Sequence, residues 1–183
     1  MLERWLYRSR QFFAALAGPP VSREDMAEAL DVLGPQLYKI FSAMPRQYRQ
    51  HSLNVYRRVR QAGCDDPVVL QAALLHDSGK FDPVSGCYVT IAHRVIVVLL
   101  GAVSPGRRLL RWLSRPTRAD KGRLSLDYWR YPFYLSEQHP VLGAQIAAKY
   151  GGSPNLVEII RKHHTHVDQA PELRILQAAD DKS

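Results

Sequence analysis

The sequence predicts an all-α fold, and three observations carry that reading. Apolar residues recur at helical spacing along almost the whole chain, and no segment alternates as a strand meander would. Capping and breaking residues punctuate the pattern at regular intervals. At 183 residues, the chain is long enough to bury a substantial core in one domain.

The elements follow in order. The opening "MLERWLYRSRQFFAALAGPP" carries charges through its first ten positions, so it lacks the apolar core of a signal peptide. "SREDMAEALDVL" begins with Ser22 and Asp25 at capping-box spacing. Gly34-Pro35 interrupts that helix and "PQLYKIFSAM" restarts it. A helix over about 46–62 puts Tyr48, His51, Ser52, Val55, Val59 and Ala62 on one stripe, which turns His51 toward the core. Asp66 then caps a helix with Pro67 at its first position. Its body, "VVLQAALL", is apolar nearly all round and should be central, ending near Gly79 in a left-handed cap.

Between 81 and 135 the pattern loosens. An apolar piece (91–103) breaks at "SPG", and the basic amphipathic "RRLLRWLSR" follows. "RPTRADKGR" reads as a loop, and "DYWRYPFY" packs five aromatics into eight residues. Pro140 is expected to start the next helix, with His139 at its head and Gly151 at its end. Helices beginning at Ser153-Pro154 and Pro171 complete the chain. The domain reading is thus a single unit over 1–183. It comprises N-terminal helices (1–44), site-bearing helices (45–80 and 136–183) and a basic, aromatic-rich insertion or lid (81–135).

Composition narrows the setting. Cys64 and Cys87 form no metal-binding or disulfide pattern and read as free thiols in a reducing, cytoplasmic compartment. The longest strongly apolar run, "VIVVLLGAV", is too short to span a bilayer. The net charge of +8 is concentrated between Arg94 and Arg130, and 19 of the 25 basic residues are Arg, whose planar fork suits phosphate oxygens. No nucleic-acid motif accompanies these residues, so specific nucleic-acid binding is not expected. "ERWLYRSRQFF" and "RRLLRWLSR" have the composition of helices that lie on anionic membranes, which makes a peripheral membrane association an alternative setting.

The polar residues on core-facing positions are the most informative. His51 lies on its helix stripe, and His76 and Asp77 end the central apolar helix. His163 falls at plus seven, plus four and plus three from Leu156, Ile159 and Ile160, with His164 at plus four from Ile160. Asp180 shares the face of Leu173 and Leu176, while Asp181 turns away. A hydrogen-bonded core has no need of so many inward imidazoles and carboxylates, whereas a metal site does. The absence of Cys argues against structural zinc, and mixed N/O ligation suits Mn, Fe, Co, Ni or Mg.

The order His51, His76-Asp77, Asp180 resembles the H…HD…D pattern of the HD-domain phosphohydrolase superfamily, and "LLHDSGK" resembles its HD-x-G-K core. The resemblance covers about residues 45–181 and implies an HD-domain-like helical bundle. "HPVLGA" and "IRKHHT" place further His where a subset with two or more metals has extra ligands. That subset includes cyclic-dinucleotide phosphodiesterases of the HD-GYP and membrane-HD types and diadenosine-tetraphosphate hydrolases. The Gly-Tyr-Pro motif of the HD-GYP branch is absent after His164, where the chain reads "THVDQAPE".

By this resemblance His51, His76, Asp77 and Asp180 would hold one divalent metal. Asp77 would bridge to a second held by His139 and by His163 or His164. The implied activity is hydrolysis of a phosphoester of a nucleotide or related small molecule by attack of a metal-bound hydroxide. Lys80 would contact a substrate phosphate. In the lid, Arg94, Arg108, Arg111 and Arg130 would meet phosphates, and Tyr128, Trp129, Tyr131 or Phe133 would stack a base; the alternative for these aromatics is ordinary core packing. The alternative is a non-catalytic HD module that binds a metal or nucleotide and acts through a partner.

Overall fold

A computed structural model describes residues 21–119, 125–165 and 170–183. It is an all-α bundle of eight helices, with no strand among the described residues. The N-terminal basic stretch, His166 and part of the loop after Pro116 lie outside the described residues.

Helix α1 (Arg23–Ala43) opens with the expected capping box: the Ser22 side chain accepts from the Asp25 N–H and the Asp25 carboxylate from the Ser22 N–H, both at 3.0 Å. It kinks at Gly34, whose φ of +67° a side chain would resist, just before Pro35 removes a helical donor. Helix α2 (Arg46–Gln61) buries Tyr48, Ser52, Leu53, Val55, Tyr56 and Val59, while Ala62 beyond its end is exposed rather than part of the stripe. Helix α3 (Pro67–Leu75) is capped by the Asp66 carboxylate, which accepts from the Val68 and Val69 N–H groups. It is the central rod, packed by α1, α2, α7 (Pro154–Lys162) and α8 (Pro171–Asp180). Leu74 and Leu75 are fully buried, each contributing roughly 2 kcal/mol through removal of apolar surface from water.

Two boundaries differ from expectation, both for physical reasons. Helix α3 stops at Leu75, and Ser78–Lys80 form one tight 3-10 turn, so Gly79 is no left-handed cap. Its lack of a side chain serves a close approach instead. A Cβ there would stand 2.2 Å from the His139 carbonyl oxygen and 2.7 Å from the Gly143 nitrogen. Second, the helix expected to start at Pro140 is α6 (Leu126–Lys149), which runs through Pro132 and Pro140. The aromatic run belongs to this helix, and Leu135, with Tyr128 and Tyr131, packs on Cys87 and Val89 in a small second core. That packing offsets the donors lost at the two prolines. Between the turn and α6, α4 (Ile91–Gly101) and α5 (Ser104–Leu113) form a helical hairpin beside α6. Its backbones meet at Gly106, where a Cβ would stand 2.1 Å from the Leu100 carbonyl oxygen.

Candidate metal centre

The bundle gathers every predicted ligand at the C-terminal end of α3. His76 and Asp77 are delivered by the rigid apolar rod and are buried, with His51 from α2 and Asp180 from α8 alongside. His51 Nε2 lies 3.0 Å from Asp180 Oδ1 and 3.7 Å from Asp77 Oδ2, and His76 Nε2 lies 3.6 Å from Asp77 Oδ1 and from Asp180 Oδ1. Helix α6 adds His139, and the end of α7 adds His163 and His164. His139 Nε2 is 3.2 Å from His163 Nε2, 3.0 Å from His164 Nε2 and 3.6 Å from Asp77 Oδ1. Asp77 therefore stands between two groups of ligating atoms, His51–His76–Asp77 and His139–His163–His164. His139 and His163 are buried, whereas His164 is exposed at the rim.

Three of the rings are fixed in the same way. The Nδ1 atoms of His76, His139 and His163 lie 3.0, 2.8 and 2.6 Å from the carbonyl oxygens of Ala73, Ser136 and Ile160, each three residues back. A carbonyl only accepts, so each Nδ1 carries the proton and each Nε2 is left with a lone pair. The carbonyls are ones that the helices leave without a donor. Ala73 and Ile160 stand in last turns, and the N–H groups of Asp77 and His164, past the helix ends, bond to neither. Ser136 loses its donor because the residue four positions on is Pro140.

This tautomer assignment exposes an electrostatic deficit. His139 and His163 face each other through two nitrogen lone pairs, which repel unless a proton or a cation lies between them. A proton is disfavoured. Burial, then the positive charge of Lys80, holds His139 well below the usual histidine range, and burial followed by the neighbouring His76 and His164 takes His163 down to about 3. Burial and Lys80 likewise lower His164. Burial by itself would raise Asp77, but Lys80, His76, His51 and His139 together outweigh it and keep the carboxyl ionised. Asp180 is also held well below its usual range, with His51 and His76 overcoming burial. His76 is raised, because Asp77 and Asp180 overcome its burial. Neither Asp77 oxygen nor His76 Nε2 receives a hydrogen bond, although Lys80 Nζ lies 2.7 Å from Asp77 Oδ1. Buried ionised oxygens and an imidazole nitrogen that receive no hydrogen bond are what a divalent cation satisfies. The donor set fits a metal, with imidazole nitrogens predominating and no thiolate.

The remaining predicted residues distribute unevenly. Lys80 is on the carboxylate, and burial lowers its pKa against the attraction of Asp77. Arg94 reaches in from α4, its Nη2 3.6 Å from Asp77 Oδ2 and its guanidinium 5.5 Å from the centre of the Tyr48 ring. Arg108 and Arg111 are exposed on α5, and Trp129 is exposed in the first turns of α6. Tyr128 packs in the second core, and Arg130 donates to the Trp112 carbonyl at 2.9 Å, tying α6 to α5. His93 turns to Thr90 and to the Phe133 ring. Tyr48, the platform under Arg94, was legible only as a core position; its hydroxyl donates to the Val89 carbonyl. Comparison with protein-family models, curated proteins and solved structures returns no match. The chain is thus a helical bundle with a buried His/Asp cluster compatible with an HD-type metal site.

Proposed function

We propose that this chain is a metal-dependent phosphohydrolase of the HD-domain type, acting on a phosphoester of a nucleotide or related small molecule. The observation that carries the reading is the meeting of carbonyl-pinned imidazoles around a buried, hydrogen-bond-free carboxylate at Asp77. His51, His76, Asp77 and Asp180 would hold one cation, and His139, His163 and His164 a second, with Asp77 serving both. The histidine-rich set suits Mn, Fe, Co or Ni better than Mg. Such ions, when bound, lower the pKa of water and withdraw charge from phosphoryl oxygens.

The chain's own residues would do the rest. The α3 rod and the Gly79 turn hold Asp77 so that its Oδ1 lies 3.6 Å from both His76 and His139 and its Oδ2 lies 3.7 Å from His51. Lys80 and Arg94 present fixed positive charge beside that carboxylate, where an incoming phosphate would otherwise be repelled. Arg94 is held over Tyr48, so less side-chain freedom is lost when it engages an anion.

The test is turnover of phosphodiester and phosphomonoester panels by Mn- or Fe-loaded protein beside the Asp77→Ala variant. Activity that the substitution abolishes supports the proposal. Metal and nucleotide binding without turnover would instead assign the chain to the non-catalytic HD modules. No metal retention at all would remove the basis of both.

A further inference from the structure

Helix α4 has two faces of different character. Arg94, Val97, Val98 and Leu100 are partly covered, and Arg94 reaches the metal centre. The opposite side presents Ala92, Val95, Ile96 and Leu99 to solvent at spacings of three, one and three, a helical stripe without a polar residue, and Val103 is exposed just beyond the helix end. Leu99 is 64% and Val103 52% exposed. Leu109 and Trp112 of α5 and Leu126 and Trp129 of α6 are exposed as well. Of the eleven large hydrophobic residues exposed among the described residues, eight belong to these three helices. A concentration of that kind marks an interaction surface.

Charge selects the occupant. From residue 83 to residue 119 the sequence holds six arginines and no acidic residue or lysine. Arg108, Arg111, Arg115 and Arg118 are exposed, and none forms an ion pair among the described residues. Two copies meeting through this face would bring like charges together. A nucleic acid would engage the arginines but leave the aliphatic stripe in water. An anionic bilayer takes both, since acyl chains receive the aliphatic residues and Trp while lipid phosphates meet the arginines.

We propose that the α4–α5 hairpin is a peripheral docking surface for an anionic lipid bilayer. No described helix is long and apolar enough to cross a membrane, so the hairpin would lie in the interface plane. The inner side of α4 would then hold Arg94 at the centre while the outer side rests on lipid.

The experiment is co-sedimentation of the full chain with vesicles of phosphatidylcholine alone and of phosphatidylcholine mixed with phosphatidylglycerol. The expected result is binding to the mixed vesicles only, weakened by salt. Arg108→Gln/Arg111→Gln/Arg115→Gln should weaken it roughly a hundredfold, three surface charges each giving about a factor of five. Leu99→Asp should abolish it, and the exposure of all four positions leaves the helical circular dichroism spectrum unchanged. Failure of the wild type to pellet, equal binding to both vesicles, or binding that neither variant reduces would overturn the proposal. A dimer in sedimentation equilibrium that Leu99→Asp dissolves would reassign the face to self-association. Retention of a duplex oligonucleotide that only the arginine variant loses would reassign it to nucleic acid. Vesicle binding requires neither metal nor turnover, so its outcome is separate from that of the phosphohydrolase assay.

Discussion

Replacing Pro140 by Ala restores the N–H that the Ser136 carbonyl lacks within α6. Two opposite effects should follow. A proline inside a helix costs about 3 kcal/mol relative to alanine, and its smaller unfolded-state entropy returns roughly 0.4–1 kcal/mol. The variant should therefore gain about 2 kcal/mol, which for a chain of this size raises the midpoint of thermal unfolding by about 4–8 °C. The restored N–H, however, competes with His139 Nδ1 for the carbonyl that it approaches to 2.8 Å. Loss of such an orienting partner typically lowers metal affinity about 10–100-fold. The variant should be more stable and bind metal less well, a combination that general damage to the fold does not produce. Calorimetric titration of the metal-free protein with Mn or Co, paired with thermal melts, reads both quantities. A stabilised variant with undiminished metal affinity would refute the assigned role of the Ser136 carbonyl.

Three further outcomes can be checked. Gly79→Ala forces a Cβ onto the α6 backbone and should cost about 3 kcal/mol or more, measured by urea denaturation, with coupled loss of metal affinity; a neutral result would contradict the seam. Asp77→Asn should keep the helical spectrum yet lose stoichiometric metal retention by elemental analysis, because the shared carboxylate charge is gone; retention would show that the histidines suffice. Burial would raise the Asp25 carboxyl, but hydrogen bonds from the Ser22 N–H and Arg57 outweigh it and lower its pKa. The resulting stability is present above the ordinary Asp range and is lost as pH falls through the lowered value. Asp25→Asn should thus cost about 1 kcal/mol near neutrality and flatten the acid limb of denaturation; an unchanged limb would count against the pair.

Much of the centre was legible because it rests on local arithmetic. The three-, four- and seven-residue intervals that put His51, His163 and Asp180 beside aliphatic residues need only a helix, and those helices form. What failed was local punctuation with two meanings. A glycine after a helix reads as a cap, but at Gly79 the requirement is the backbone of a segment sixty positions away. Pro140 satisfies the rule for a first helical position equally well, and only the packing of Leu135 and its aromatic neighbours on Cys87 and Val89 carries the helix past it. The two-faced character of α4 was hidden because beyond His93 and Arg94 its composition is apolar, and composition does not show which side the rest of the bundle covers.

The contact between Gly79 and the His139 backbone also dates the centre within folding. Local contacts suffice to form α2 and α3, which carry His51 and His76-Asp77. The trio on α6 and α7 meets Asp77 only after a sixty-residue loop has closed, a slower event than helix formation. A cation offered during refolding would find scattered imidazoles until that docking is complete. If bound there, it would act as a latch on the finished chain, slowing its unfolding far more than it hastens its assembly.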